Sequence, residues 1–254
     1  MRRDVRVETP AGEPPALQLD PQRLIETVGA LHQRIEERFP GSGLSKLAVQ
    51  LQHIAAHSIE RLEQVARPNL PLRITIGALL LTLVAIFVGL FATADFPAGV
   101  PDFFELVQTL EAAVNELIFV SIAVFFLVTL ESRIKRRRAL RFLRELRALA
   151  HIVDMHQLTK DPDRLILQGA DTPSSPTREL RRFELSRYLD YCSEMLSLVS
   201  KLAALYAQTF DDPVVLSAVD EVEGLTSGLS GKIWQKIMIL DQTVLRAGEA
   251  VEES

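Results

Sequence analysis

The stretch ITIGALLLTLVAIFVGLFA, from Ile74 to Ala92, contains nineteen residues and no charged side chain. As a helix rising about 1.5 Å per residue it is roughly 28 Å long, close to the hydrocarbon thickness of a bilayer, about 30 Å. Helices of soluble proteins rarely run this far without a charge, because one of their faces meets water. The stretch therefore predicts a membrane-spanning helix, and a buried helix of a soluble protein is the alternative.

A second apolar stretch, LIFVSIAVFFLVTL, runs from Leu117 to Leu130 and has fourteen uncharged residues. Fourteen residues give roughly 21 Å of helix, so this span must include the preceding turns with Asn115 and Glu116. We predict a transmembrane hairpin over 71–133, with spans at about 73–93 and 112–131 and an acidic outer loop at 94–111. Asn115, Glu116 and Glu131 could mark an ion path, but interfacial positions are the favoured interpretation.

Charges around the two spans predict their orientation. Residues 93–116 contain no Lys or Arg, whereas eight basic residues follow the second span: Arg133, Lys135, Arg136, Arg137, Arg138, Arg141, Arg144 and Arg147. Lys and Arg that flank spans stay on the cytoplasmic side. Both termini are therefore predicted to be cytoplasmic and the loop external.

Small residues recur along one face of the first span, at Ala78, Thr82, Ala85 and Gly89. Such a stripe lets another helix approach closely. We expect it to pack against the second span, because the short loop makes the two helices neighbours. Contact between copies of the chain is the alternative.

Outside the spans, apolar residues recur at helical spacing, so the chain is expected to be all-α. A pair of cytoplasmic helices is predicted over 20–70, with Asp20 as N-cap, Pro21 at the first helical position and a break at residues 40–43. The second of them is expected to run from Leu44 to Ala66, before Pro68 and Pro71 form a stiff joint into the membrane. Residues 1–19 are polar and proline-bearing and are expected to be a disordered tail.

After the second span, no Gly or Pro occurs between Asp102 and Asp161, so one continuous helix is expected to run from the outer loop into the cytoplasm. A further helix, beginning near Thr177, carries apolar residues at heptad spacing, with Cys192 at a core position. The segment 213–246 follows a similar period. Glycines at 224, 228 and 231 leave open whether it is one helix or two.

These segments predict a C-terminal cytoplasmic module over 134–246, a helical bundle with coiled-coil-like seams, followed by an acidic tail at 247–254. In it, an antiparallel hairpin packs on the cytoplasmic end of the long helix. The fold class is therefore an all-α, two-helix transmembrane hairpin whose long helices extend into this module.

Four polar residues have spacings that metal ligands use. His53 and His57 are four residues apart on one predicted helix, and His151 and Asp154 are three apart on another. Packing of these helices side by side would bring the four together on a divalent metal. Such spacing on one helix is frequent by chance, so ordinary polar positions are the favoured interpretation and no metal is predicted.

A dense basic cluster follows the second span. Its members would attract anionic lipid headgroups, at about 1 kcal/mol per residue near the surface. The predicted lipid contacts are Lys135, Arg136, Arg137, Arg138 and Arg141. Nucleic-acid binding is not expected, because the net charge is −5 and the cluster lies beside the membrane.

The sequence contains no G-x-S-x-G, P-loop or G-x-G-x-x-G motif, so no catalytic residue and no cofactor are predicted. The leading hypothesis is a non-enzymatic inner-membrane protein. Its cytoplasmic module would serve self-association or binding of a helical protein partner, as in a scaffold or signalling protein. A subunit of a small oligomeric channel or transporter is the alternative, and a metal-dependent membrane enzyme is third.

Five phrases resemble a family of bacterial two-span membrane proteins with no assigned activity: RFPGSGLSKL (38–47), RPNLPLRI (67–74), LAHIVDMHQLTKDP (149–162), RYLDYCSEML (187–196) and GLSGKIWQKI (228–237). They occur in the order associated with that family. The resemblance implies a bacterial inner (plasma) membrane location and nothing about mechanism.

Overall fold

The structure, a computed structural model, describes residues 18–93, 103–160, 162, 173 and 180–252. These residues form seven helices and no strand: α1 (Pro21–Arg38), α2 (Gly43–Ala56), α3 (Ser58–Ala66), α4 (Leu70–Thr93), α5 (Phe103–Leu158), α6 (Arg182–Thr209) and α7 (Pro213–Glu252). The all-α class is confirmed for this part of the chain.

The start of α1 has the predicted N-cap and the predicted first helical residue. The Asp20 carboxylate accepts hydrogen bonds from the backbone N–H groups of Gln22 (2.9 Å) and Arg23 (3.4 Å), and Pro21 is the first helical residue. The predicted break before α2 is also present. Gly41 has a φ of 67° there, a conformation that other residues adopt at a cost of about 1–2 kcal/mol.

The prediction of one helix from Leu44 to Ala66 is wrong, because the chain breaks at His57 between α2 and α3. Two side chains compete for backbone carbonyls at this point. The Ser58 hydroxyl donates to the carbonyl of Ala55 (2.6 Å), and His57 Nδ1 lies 2.8 Å from the carbonyl of His53. Local side-chain bonds of this kind bend or interrupt helices.

Helix α5 confirms the expected continuous helix, with 56 residues and a length of about 84 Å. Residues 103–111, which we assigned to the outer loop, belong to this helix because no Gly or Pro interrupts them. The remaining loop residues, 94–102, and residues 1–17 of the expected tail lie outside the described residues.

Two helices are long and apolar enough to cross a membrane, with stretches of mean hydropathy 1.8 and 2.1. None of the residues in these stretches is buried within the chain. Ile74 and Phe119, for example, are both 70% exposed. A core helix of a soluble protein would be covered by its neighbours, so that alternative does not fit the packing of this chain.

The expected packing of the small-residue stripe of α4 stays a prediction, because Ala78, Thr82 and Ala85 are exposed within the described residues. Between two apolar helices in lipid there is little hydrophobic force, so polar contacts weigh more in fixing their approach. Here α4 meets α5 through a polar cluster at its first turns, described below.

The second half of α5 packs with α1, α2, α3, α6 and α7 around one hydrophobic core. Every predicted seam position of α6 is buried: Leu185, Tyr188, Cys192, Met195, Val199, Leu202 and Tyr206. Helix α7 lies along α6, and its seven described seam residues are buried as well: Val215, Val219, Val222, Leu229, Ile233, Ile237 and Leu240. We call α1–α3, residues 139–158 of α5, α6 and residues 213–240 the packed module.

Two helix boundaries in the C-terminal part of the chain differ from the prediction, and the open question about residues 213–246 is answered. The described α6 begins at Arg182 rather than near Thr177. At this start, the Glu184 carboxylate accepts a hydrogen bond from the Arg181 N–H (2.8 Å). Residues 213–246 form one helix, so the three glycines do not divide it. Residues 247–252, expected as a tail, continue this helix.

Candidate anionic-lipid interface

A polar cluster joins the first turns of α4 to α5 at the C-terminal end of the second apolar stretch. Glu131 lies 2.7 Å from Arg73 Nε and 3.2 Å from Lys135 Nζ, and it accepts a hydrogen bond from the Asn69 N–H at 3.2 Å. Its carboxylate therefore has three partners, two of them cations. This arrangement favours an anchoring role for Glu131 over a place in an ion path.

A second ion pair lies about 7.5 Å further along α5, five residues on. Arg136 donates from Nε and Nη2 to Asp212 Oδ2, at 2.9 and 2.7 Å. Asp212 Oδ1 caps α7 by accepting from the N–H groups of Val214 (3.1 Å) and Val215 (3.2 Å). One carboxylate thus caps α7 and ties it to α5.

The pKa of Asp212 reflects opposing effects. Its side chain is buried, which raises the pKa, but the hydrogen bonds from Arg136 and from the Val215 and Val214 N–H groups outweigh the burial. The net pKa lies below the ordinary value for an aspartate. Asp212 is therefore ionised whenever the ion pair is formed near neutral pH.

The five predicted lipid contacts divide into two groups. Lys135 and Arg136 form the ion pairs with Glu131 and Asp212. Arg137, Arg138 and Arg141 are exposed, and none of them forms an ion pair with a described residue. These three arginines are the ones free to meet anionic headgroups. No local pattern predicts this division, because it depends on Asp212, 76 positions away from Arg136.

The four candidate metal ligands are not brought together. The rings of His53 and His57 are 4.3 Å apart, and Asp154 accepts a hydrogen bond from Gln157 Nε2 at 2.7 Å. His151 is exposed on α5. In the part of the chain that the structure describes, no group of three or more His, Cys, Asp or Glu side chains could hold a metal ion.

Cys192 is completely buried, as predicted from its seam position. Burial raises the pKa of its thiol to about 12, although the charge of Lys236 acts in the opposite direction. The thiol is therefore protonated at physiological pH. Its environment is that of a small apolar core residue rather than a nucleophile.

Comparisons of the chain with models of protein families, with curated proteins and with solved structures find no match.

Proposed function

We propose that the chain is a two-pass inner-membrane protein that holds the packed module in the cytoplasm as a non-enzymatic scaffold, for self-association or for binding a helical protein partner. The observation that carries the proposal is the change of environment along α5. Large apolar residues are exposed from Phe103 to Phe126, whereas the apolar residues of one helix face are buried from Ala139 to Val153. The exposed basic residues 137 and 138 lie at the boundary.

Physical chemistry favours a lipid environment for the first half of this helix. Exposed apolar surface costs about 25 cal/mol per Å² in water, and contiguous patches of this kind mark surfaces that meet lipid or a partner. In a bilayer, the same residues would meet hydrocarbon. The basic boundary would then lie among headgroups on the cytoplasmic side.

Contacts at the base of the spans support a scaffold role. The Glu131 cluster fixes α4 to α5, and the Arg136–Asp212 pair fixes α7 to α5 within about two helical turns. Because α5 has no break between these contacts, the packed module is held in a fixed position relative to the spans. A scaffold needs such a fixed position to present a partner at a constant distance from the membrane.

The polar groups in the second span of α5 favour the scaffold proposal over the channel alternative. The hydroxyl of Thr129, near the C-terminal end of the second span, donates to the carbonyl of Phe125 at 2.8 Å, so it is engaged with its own backbone. Ser121 is exposed but is surrounded in sequence by apolar residues. We expect no ion flux through liposomes that contain the purified chain.

We expect fusions to report both termini in the cytoplasm. Alkaline phosphatase, which is active only outside the cytoplasm, should be active when fused in the loop at Gly99 and inactive when fused at residue 60 or at the C-terminus. The physical reason is the concentration of basic residues on one side of both spans. A cytoplasmic reporter at the same three positions is the control and should give the opposite pattern. Phosphatase activity at either end would contradict the proposed topology.

The scaffold proposal is tested by cross-linking a mixture of ¹⁴N- and ¹⁵N-labelled chains in membranes with an amine-reactive reagent. Lys201 and Lys232 are exposed on α6 and α7 and provide reactive groups on the packed module. We expect mixed-isotope peptides, which show contact between copies, or reproducible links from these lysines to one other protein. Links confined to single chains, together with a monomeric mass in mild detergent, would contradict the scaffold proposal.

A further inference from the structure

Helices α5 and α7 run side by side in the same direction. Their relative register is fixed by three polar contacts: Arg136–Asp212 (2.7 Å), Arg147–Glu221 (2.9 Å) and Lys236 Nζ to the Lys160 carbonyl (3.4 Å). The first and third of these contacts join residues 76 positions apart, and the second joins residues 74 positions apart. A residue of α5 therefore lies at about the same height along the packed module as the residue 76 positions later in α7.

Both helices have an exposed face that turns away from the core. On α5 the exposed positions follow steps of three and four residues: Arg141, Arg144, Ala148, His151 and Met155. On α7 they follow the same steps: Ser217, Asp220, Gly224, Ser227 and Gly231. We call these ten residues the outer face. Each α5 member precedes an α7 member by 76 positions, so the two rows match in height.

A groove of about 680 Å³ separates the two rows of the outer face. Its apolar walls are formed by Leu140, Leu143, Val214 and Ala218. Side chains of a third and a fourth helix could fill such a groove, as in a helical bundle.

The outer face carries opposite charges on its two helices. Arg144 donates to the carbonyl of Leu140 at 3.2 Å, and it forms no ion pair with any residue that the structure describes. Asp220 is exposed on α7 and likewise has no ion-pair partner within the described ranges. The two residues lie at the same height on neighbouring helices, but they do not pair within the chain. An α7 from outside would bring a carboxylate to Arg144.

Further from the spans, the outer face is small and apolar. A Cβ added at Gly224 or Gly231 would meet no atom within 4 Å apart from the backbone of its own helix. Glycine inside a helix costs about 1 kcal/mol relative to alanine, and packing within the described chain does not account for it. Met155 is 62% exposed and Trp234 is 59% exposed. Both residue types are enriched where protein surfaces meet.

Lipid cannot cover this part of the outer face. Met155 follows Glu131 by 24 residues, or about 36 Å of helix. The headgroup region adds only roughly 5–8 Å to each side of the hydrocarbon core. The apolar residues at this height therefore call for a protein partner.

We propose that the outer face binds a second copy of the chain, with α5 of each copy packed against α7 of the other. Two copies in one membrane have the same orientation, so a two-fold axis along the membrane normal relates them. This axis places each α5 residue opposite the α7 residue of equal height in the second copy. The inference deepens the scaffold proposal above and rests on it.

The resulting contacts agree in charge and in size. Arg144 pairs with Asp220 of the second copy, and the symmetry makes this pair twice. Ala148 packs on Gly224, and Met155 packs on Gly231, where the absence of side chains lets the helices approach closely. Two helices over residues 137–158 present roughly 30 Å by 20 Å, so the dimer buries about 1,200 Å² in total, at the lower end of stable interfaces.

Disulfide trapping tests the register of the dimer. In a Cys192→Ala background, a chain with Ala148→Cys and a chain with Gly224→Cys are made with different affinity tags, and mixed membranes are oxidised with copper phenanthroline. We expect a covalent dimer that carries both tags. Ser217→Cys in place of Gly224→Cys is the matched control. It lies on the same row but about 10 Å nearer the spans, beyond the reach of a disulfide, so its yield should be at least about tenfold lower.

Charge reversal tests the ion pair, with energy transfer between two labelled pools of the full chain in liposomes as the measurement. Arg144→Glu and Asp220→Arg should each weaken dimerisation at least about tenfold, because each creates two like-charge contacts. The double variant restores opposite charges and should return the dissociation constant to within about threefold of wild type. Lys201→Glu makes the same change of charge at an exposed position of α6 outside the outer face. It should change dimerisation less than about twofold.

Two results would overturn the inference. A dimer whose affinity is unchanged by Arg144→Glu and by Asp220→Arg would place self-association on another surface. A chain that stays monomeric at every chain-to-lipid ratio would exclude a second copy as the occupant. The scaffold proposal fails by a different result, since it also admits a helical protein partner and is tested by the lysine cross-links and the topology fusions. The two failures are therefore distinguishable.

Discussion

Cys192→Arg is expected to unfold the packed module, with a loss of about 4 kcal/mol or more in the free energy of unfolding. Cys192 is completely buried in the seam of α6, and Lys236 is near enough to affect its thiol. An arginine there would overpack the core and bury an unpaired charge that is repelled by Lys236. Thermal unfolding in detergent, followed by the helical circular dichroism signal, measures the loss.

Two control variants separate burial from general sensitivity of α6. Cys192→Ala removes only a small apolar group and should cost about 1–2 kcal/mol. Gln208→Arg places the same new charge at an exposed position of α6 and should change stability by less than about 0.5 kcal/mol. In native membranes the Cys192 thiol should resist alkylation and react after denaturation. Rapid labelling of the native thiol, or a harmless Cys192→Arg, would show that the seam is open.

Asp212→Ala is expected to lower the free energy of unfolding by about 2–3 kcal/mol. The substitution removes the N-cap of α7, which contributes about 1 kcal/mol. It also leaves Arg136 without its ion-pair partner, the carboxylate of Asp212, a residue that is only 6% exposed. Arg136 is partly exposed, so the cost stays below that of a fully buried pair. The same thermal unfolding measurement applies.

Asp212→Asn separates the two roles, because asparagine caps helices as well as aspartate does but carries no charge. We expect it to cost about 1–2 kcal/mol near neutral pH. The folded pKa of Asp212 is below its unfolded value of about 3.9, so the charge-dependent stability is fully present above that pH. It is lost as the pH falls through the folded pKa, where wild type and Asp212→Asn should converge. A difference that is independent of pH would contradict the ion-pair explanation.

Much of the secondary structure could be predicted from local patterns. The apolar run from Ile74 and the absence of Gly and Pro after Asp102 correctly indicated α4 and the uninterrupted α5. Heptad spacing correctly indicated the buried face of α6, because a single stripe repeats over several turns and only one face can meet the core. These features depend on residues close in sequence.

The candidate site could be predicted only in part, because its geometry depends on distant residues. The basic cluster was visible, but the pairing of Arg136 with Asp212 requires the tertiary fold. The break at His57 was missed for another reason. It depends on hydroxyl and imidazole bonds to carbonyls, which compete with a strong helical pattern.

The unbroken α5 also acts as a lever arm. From Glu131 to Leu158 it extends for about 40 Å beyond the span. Spans adjust their tilt when the bilayer becomes thicker or thinner. Because α5 has no hinge, a change of about 10° in tilt moves its far end sideways by about 7 Å. In the membrane location proposed above, a change in bilayer thickness would therefore displace the surface that the packed module presents.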